Sequence, residues 1–204
     1  MLDEIKRSLV ENKTAILISA AILIVSLILG YYFEPYLHDY LNPIVEEFTR
    51  RIQSGDLSIT FHDIFLNNLK VILGMFIGGL MFCLSALVLS FNGFFVGYFV
   101  ASEHDLLTVS LYIIPHGIFE FSSCILACAA GFVLFEFAYK YIRSVFKNSN
   151  CPILENLSSS FSENYDKLKQ ALIIFAISVV LMVIAGIIEA YLTLPIAEFI
   201  LSLA

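Results

Sequence analysis

Long apolar runs alternate with shorter polar segments along the chain, and most of them have the length of a membrane-spanning helix. A helix needs about 20 apolar residues to cross a hydrocarbon core roughly 30 Å thick. Four runs reach or approach that length, at residues 15–33, 69–90, 107–139 and 171–192. A fifth, 91–101, would extend only about 16 Å as a helix. Because these runs lack the inside–outside alternation of barrel strands, we predict an all-α, polytopic helical membrane protein with about five spans, one of them short or broken.

The polar stretch between the first two runs carries its own helical pattern. Its apolar residues recur every three to four positions opposite a charged face, which is typical of a helix lying at the membrane surface. The apolar positions are Leu41, Ile44, Val45, Phe48 and Ile52, and the charged positions are Glu46, Glu47, Arg50 and Arg51. Further along, the Ser- and Asn-rich residues 146–164 predict a loop. The segment from Pro195 to Ala204 predicts an interfacial tail.

The composition excludes a soluble domain. Hydrophobic residues make up 59% of the 204 residues and charged residues 14%, with a mean hydropathy of +0.88, whereas soluble domains have about 45–50% and 25%. We therefore expect one integral membrane domain over residues 1–204, in the cell membrane, with the lipid bilayer around it. The net charge of −7 argues against a nucleic-acid partner. The four cysteines lack zinc-knuckle spacing and indicate no disulfide framework.

The distribution of the 11 Lys and Arg residues predicts the orientation. If 91–101 crosses the membrane, most basic residues lie on the side of the N-terminus, which the positive-inside rule assigns to the cytoplasm. That side holds Lys6, Arg7, Lys13, Lys140, Arg143, Lys147, Lys167 and Lys169, and the other side holds Arg50, Arg51 and Lys70. We thus predict five spans with a cytoplasmic N-terminus and an outer C-terminus. Residues 102–105, Ser-Glu-His-Asp, would then line a water-filled vestibule.

Polar residues inside the apolar runs indicate a cluster near the outer side of the membrane. His116 and Glu120 are one helical turn apart and so share a helix face. Glu120 lies 18 residues from Ala138, and Glu189 lies 18 residues from Ala171, the inner ends of their spans. Both carboxyls are therefore about 27 Å from the inner side. The predicted cluster comprises Asn67, Asn68, Asn92, His116, Glu120 and Glu189.

Three interpretations of this cluster are open. The side chains could hydrogen-bond across helices and hold the bundle in register. His116, Glu120 and Glu189 could bind a divalent cation, since imidazole and carboxylate are suitable ligands. The same groups could relay protons or a substrate. Glu136, four residues before Lys140, is an ordinary helix ion pair and is assigned no function.

Small residues four apart predict close helix contacts. The pairs are Gly74 with Gly78, Gly93 with Gly97, and Ala127 with Gly131, and Gly117 beside Pro115 would allow another close approach. Such pairs serve either packing within one chain or a homo-oligomer interface. No phosphate loop, Ser-His-Asp set, Gly-x-Ser-x-Gly elbow or His-Glu-x-x-His helix occurs in the sequence, which favours a protein that is not an enzyme.

Several motifs together resemble the stage II sporulation protein M family. They are Asn67-Asn68, Asn92-Gly93 with Gly97, the run from Pro115 to Glu120 (Pro-His-Gly-Ile-Phe-Glu), Gly131, and the run from Ala185 to Ala190 (Ala-Gly-Ile-Ile-Glu-Ala). The family's motif residues correspond here to Asn67, Asn68, Asn92, His116, Gly117, Glu120 and Glu189. The resemblance implies an integral membrane protein, of a family found also in bacteria and archaea that form no spores. It also implies a scaffold or anchor, because members studied in spore-forming bacteria are membrane partners of peptidoglycan hydrolases.

Three functional hypotheses follow. The first is a non-enzymatic membrane scaffold or anchor for a cell-envelope hydrolase or another membrane partner. The second is an ion or small-solute transporter or channel that uses the intramembrane carboxylates. The third is a membrane metalloprotein in which His116, Glu120 and Glu189 hold a divalent cation as the one possible cofactor.

Overall fold

The chain is built from helices that are mostly long and apolar. A computed structural model describes residues 2–53, 61–81, 83–103, 106–147 and 152–202. Over these ranges it contains no strand, and its helices are α1 (Leu2–Glu11), α2 (Lys13–Gln53), α3 (Phe61–Gly78), α4 (Leu84–Ser102), α5 (Leu106–Lys147), α6 (Ile153–Tyr191) and α7 (Thr193–Leu201). Helices α2, α4, α5 and α6 are long and apolar enough to cross a membrane, and α3 contributes a shorter apolar helix. The predicted all-α, multi-pass membrane fold is confirmed.

The break between the second and third apolar helices lies earlier than predicted. The predicted spans 69–90 and 91–101 are wrong in their bounds, because α3 ends at Gly78 and α4 runs through 19 residues from Leu84. Tight hydrogen bonds after α3, such as Gly79 N–H to the Phe76 carbonyl at 3.1 Å, turn the chain. Cys83, with φ 67, then redirects it into α4. Hydropathy alone gave no sign of this turn, since its residues are as apolar as the helices on either side.

Ser102 and Glu103 consequently lie at the end of a full-length helix. Ser102 is the last residue of α4 and donates a hydrogen bond to the Phe99 carbonyl at 2.9 Å, while Glu103 is exposed. His104 and Asp105 lie outside the described residues. The vestibule was predicted because a short span would leave these residues inside the membrane. A 19-residue α4 removes that requirement.

Helix α2 is longer than the first predicted span. It continues through Pro35 and Pro43 to Gln53, so the amphipathic stretch is helical as predicted but extends α2 instead of forming a separate surface helix. At 1.5 Å per residue its 41 residues reach about 60 Å, twice the hydrocarbon thickness. We call residues 34–53 the α2 extension. The side chains of Ile44, Val45, Phe48, Ile52, Glu46 and Arg51 lie outside the described part of the structure.

Helices α5 and α6 form an antiparallel hairpin that is much longer than a membrane span. They contain 42 and 39 residues, about 60 Å each. The loop predicted over 146–164 is therefore wrong for most of its length, and residues 148–151 lie outside the described ranges. Its polar residues face across the hairpin: Asn156 donates to the Val145 carbonyl at 2.9 Å, and Ser144 donates to Glu163 at 2.8 Å. The Ser and Asn content of this segment indicated a loop. Composition alone does not reveal that such side chains form hydrogen bonds between the two helices.

Polar contacts join α1 to the α5–α6 hairpin. Arg7 pairs with Asp166 at 2.9 Å, Lys169 donates to Glu4, and the buried Asn12 amide donates to Gln170 at 2.8 Å. Because Lys169 donates a hydrogen bond to Glu4 and its positive charge stabilises the ionised carboxylate, the pKa of the Glu4 carboxyl is lower than usual. These contacts place the basic residues near the N-terminus beside those of α5 and α6. We call this end of the bundle the α1 end.

Glu136 makes more contacts at the α1 end than the sequence indicated. It accepts a bond from Lys140 at 2.5 Å, as predicted for residues four apart. It also pairs with Lys167 of α6 at 3.2 Å. The residue therefore links the two helices of the hairpin as well as stabilising its own helix.

Glycines mark the closest helix contacts. Helices α2 and α4 run parallel, and a Cβ on Gly97 would lie 2.1 Å from the Leu27 carbonyl oxygen, while one on Gly30 would lie 2.0 Å from that of Phe94. Gly93 faces Leu23 of the same helix pair at 2.9 Å. These contacts occur within one chain, so they require no second copy, and a homo-oligomer stays a prediction.

The remaining glycines differ in how closely they pack. A Cβ on Gly131 would meet the Ser85 hydroxyl and the Met75 carbonyl oxygen, and a Cβ on Gly79, a residue that the sequence pattern did not select, would meet the backbone of Gly131. Gly78 packs against Leu84, and Gly117 meets mainly side chains of its own helix. Gly74 has no neighbour within 4 Å of the Cβ position. Gly74 therefore makes no close helix contact within the chain, because this residue lies on the exposed side of α3.

Candidate functional site

Three ionisable side chains from two helices converge within the bundle. His116 and Glu120 lie one turn apart on α5, and Glu189 lies in the last turn of α6. One ligand atom from each lies within 4.8 Å of the other two. The His116 Nε2 and Glu120 Oε2 atoms are 3.9 Å apart, which is too far for a hydrogen bond. The side chains of His116 and Glu120 are only 13% and 20% exposed.

The site lies beside a break between two helices. Helix α6 ends at Tyr191, Leu192 adopts φ −117 and ψ −29, and α7 begins at Thr193. Helix α7 then packs along the beginning of α5, where Ile196 and Ile200 lie near Leu106 and Ile114. His116, which faces Thr193 at the break, lies ten residues, about 15 Å, from the start of α5 at Leu106. The segment after Pro195, predicted as a tail, is thus helical up to Leu201 and packs on the bundle. The break therefore lies at the outer end of the predicted span 171–192.

Thr193 is a member of the site that the sequence analysis missed. Its Oγ1 donates to the Ile188 carbonyl at 3.1 Å and lies 3.3 Å from Nδ1 of His116. A threonine hydroxyl has one hydrogen, so both bonds form together only when His116 donates Nδ1–H to Thr193. In the neutral ring, the Nε2 atom, on the side of Glu120, then carries the lone pair. Thr193 follows Glu189 by four residues, the same spacing that links His116 to Glu120, and this spacing could have revealed it.

The two carboxylates have no described partner close enough to offset their charge. No described residue donates a hydrogen bond to Glu120 or Glu189, and the one ion-pair contact is the 3.9 Å approach of His116. Two negative charges this close repel each other strongly where the dielectric constant is low. An ionised carboxylate at membrane depth also needs a partner. The geometry therefore calls for a proton or a cation between these side chains.

The three asparagines of the predicted cluster do not join this site through any hydrogen bond between described residues. Asn67 is exposed and Asn68 half-buried on α3, and Asn92 of α4 has a buried Oδ1 without a hydrogen-bond partner. Counting residues along each span estimates depth but does not give the direction in which a side chain faces. The structure therefore brings together His116, Glu120 and Glu189 of the six predicted residues, and adds Thr193.

Two cysteines continue the face of α5 below Glu120. Cys124 and Cys128 are almost fully buried, at 1% and 0% exposure, among the apolar side chains of the core. Cys83 is exposed, and Cys151 lies outside the described residues. Cys83, Cys124 and Cys128 are all free thiols. The thiols on α5 act as small apolar side chains in the helix contact.

Comparison with known proteins identifies the family. Residues 19–194 match the family model described as stage II sporulation protein M. An uncharacterised protein of Methanocaldococcus jannaschii is 34% identical over 152 residues, which cover 72% of this chain and 78% of that protein. A second uncharacterised protein of that archaeon is 27% identical over 215 residues, covering 98% and 91%. No solved structure matches the chain. With most of its length matched in this way, the chain belongs to the stage II sporulation protein M family.

Proposed function

We propose that this membrane protein is a non-enzymatic scaffold or anchor of the sporulation protein M type. The observation that carries the proposal is the tip of the α5–α6 hairpin. Phe146, Ile153 and Leu154 are 78%, 79% and 82% exposed there. Each helix is about twice the length needed to cross the hydrocarbon core, so the tip extends beyond the lipid. Large apolar side chains grouped on an exposed surface are typical of a protein interaction site.

The proposed orientation places this tip in the cytoplasm. The α1 contacts with α6 put the N-terminal basic residues at the same end as those of the hairpin. Eight of the 11 Lys and Arg residues then belong to the α1 end, and the positive-inside rule assigns such an end to the cytoplasm. The partner at the tip is accordingly a cytoplasmic protein or the cytoplasmic part of another membrane protein. A cell-envelope hydrolase, which acts outside the membrane, would instead contact the α2 extension at the opposite end.

Charged substitutions at the tip test the scaffold proposal. Phe146→Asp combined with Leu154→Asp is expected to reduce recovery of the partner at least tenfold, because both apolar contacts are replaced by charges. The measurement is cross-linking in native membranes followed by mass spectrometry of the co-purified proteins. Ser162→Asp is the control, since it adds a charge at an exposed polar position of the same hairpin. Equal recovery from the double variant and the control would contradict the proposal.

A second candidate function, movement of an ion or small solute, is supported by the α6–α7 break beside two carboxylates. Carboxylates inside a membrane-spanning bundle commonly mark ion or proton pathways. In proteoliposomes, the wild-type chain should then conduct protons or cations, and Glu120→Gln and Glu189→Gln should each lower the flux at least tenfold. An ion-sensitive dye inside the vesicles measures the flux. Wild-type flux no greater than that of empty vesicles would exclude this function.

A further inference from the structure

Helix α5 and the α6–α7 junction present a set of side chains suited to a metal ion. We propose that His116, Glu120 and Glu189 bind one divalent transition-metal cation of the zinc class, and that Thr193 positions His116 for it. The inference goes beyond the scaffold proposal and does not depend on it. A neutral imidazole and two carboxylates carry a charge of −2, which a divalent cation neutralises completely. Neutrality matters here because all three side chains belong to candidate membrane-spanning helices, where an unbalanced charge is costly.

The hydrogen bonds of Thr193 prepare the imidazole as a ligand. Thr193 donates to the Ile188 carbonyl and accepts from Nδ1 of His116, which directs the lone pair of Nε2 towards Glu120. That lone pair and the Glu120 carboxylate oxygen, 3.9 Å apart, would repel each other with nothing between them. Metal-bound histidines characteristically donate their second ring nitrogen to an oxygen, and this bond fixes the ring orientation. The Thr193 contact has the same arrangement.

The spacing of the ligand atoms fits an ion after a small contraction. If three atoms lie at most 4.8 Å apart, their centre is at most about 2.8 Å from each, whereas zinc binds nitrogen and oxygen at about 2.0–2.2 Å. Side-chain shifts of about 0.7 Å therefore complete the coordination. One nitrogen and two oxygens favour zinc and similar transition metals over calcium or magnesium, which prefer oxygen alone. A bound ion would fasten α5 to the α6–α7 junction.

Metal titration of the full chain in detergent tests the site. After treatment with a chelator, the wild-type protein is titrated with Co²⁺, followed by visible absorption, and with Zn²⁺, followed by thermal unfolding and elemental analysis. We expect one ion per chain. His116→Ala and Glu189→Gln should each weaken binding at least 100-fold. Thr193→Val should weaken it by about 10–100-fold, the usual effect of losing such an orienting bond, and Thr193→Ser should restore it to within a few-fold of wild type.

A matched control separates this site from other metal binding. Glu136→Gln removes a carboxylate from α5 at the α1 end, where it pairs with lysines, and should bind Co²⁺ as tightly as the wild type. Size-exclusion chromatography verifies that each variant is folded, and Glu120→Gln provides a second carboxylate variant should Glu189→Gln aggregate. A wild-type chain that binds no Co²⁺ or Zn²⁺ would overturn the proposal, because protons would then neutralise the carboxylates. Equal affinity in wild type and His116→Ala would overturn it as well.

Discussion

Replacing Gly79 by alanine is expected to lower the free energy of unfolding by about 3 kcal/mol, the upper part of the usual range for overpacking. A Cβ at this position would lie 2.1 Å from the Gly131 carbonyl oxygen and 2.5 Å from two further backbone atoms of that residue. A flexible side chain could move away from such a methyl group, but the backbone of α5 is held by its helical hydrogen bonds. The turn after α3 must therefore move away from α5.

The control for this prediction is the same substitution five residues earlier. Gly74 lies within α3 and has nothing within 4 Å of its Cβ position, so Gly74→Ala should raise stability by about 0.5–1 kcal/mol through better helix propensity. Both variants are compared with the wild type by denaturant unfolding in detergent, with circular dichroism as the signal. Similar unfolding midpoints for the two variants would show that α5 and the turn are not in contact.

Ser123→Leu is expected to destabilise the α5–α6 hairpin by about 3 kcal/mol or more, by overpacking together with the loss of buried hydrogen bonds. The Ser123 hydroxyl donates to the Ser178 carbonyl at 2.8 Å, and the Ser178 hydroxyl donates to the Ser123 carbonyl at 2.9 Å. Both residues are completely buried. A leucine would remove one of these bonds and would also separate two helices that small side chains allow to approach closely.

The neighbouring serine provides the control for the hairpin contact. Ser122 is half-buried, and among the described contacts its hydroxyl makes one exposed hydrogen bond, to the Ile118 carbonyl of its own helix at 2.7 Å. Ser122→Leu should therefore change the free energy of unfolding by less than about 0.5 kcal/mol, as surface substitutions usually do. Thermal unfolding of both variants in the same detergent measures the difference. A midpoint for Ser123→Leu as high as that for Ser122→Leu would be incompatible with the contact.

The hydrophobic pattern was sufficient to predict the class of fold but not the places where its helices turn. The cores of α2, α5 and α6 each contain a long apolar run, so hydropathy located them. The turn between α3 and α4 lies inside one continuous apolar stretch, where hydropathy is uniform and the backbone geometry of residues such as Cys83 decides. Conversely, the polar residues after Phe146 favoured a loop, although in the structure Asn156 pairs with a carbonyl across the hairpin.

The site was predicted in part for a similar reason. Helical spacing placed His116 and Glu120 on one face, and residue counts placed Glu189 at the same depth. Neither argument could show that Asn67 faces away from the site. The sequence does not reveal that α3 begins at Phe61, and the direction of the Asn67 side chain depends on how that helix packs. Thr193 was missed because the sequence does not mark where α6 ends. The break at Leu192 has no glycine, and Pro195 lies three residues after it.

The shortness of α3 has a consequence for the surrounding lipid. Its apolar part, Phe65–Gly78, extends about 21 Å, against a hydrocarbon thickness of about 30 Å. Leu66, Leu73 and Ile77 are nevertheless exposed on its outer side, where acyl chains would meet them. Such hydrophobic mismatch is relieved when the bilayer thins locally. We therefore expect the annulus of lipid to be thinner beside α3 than beside α5. A thinner bilayer would then accommodate this protein at a lower energetic cost than a thicker one.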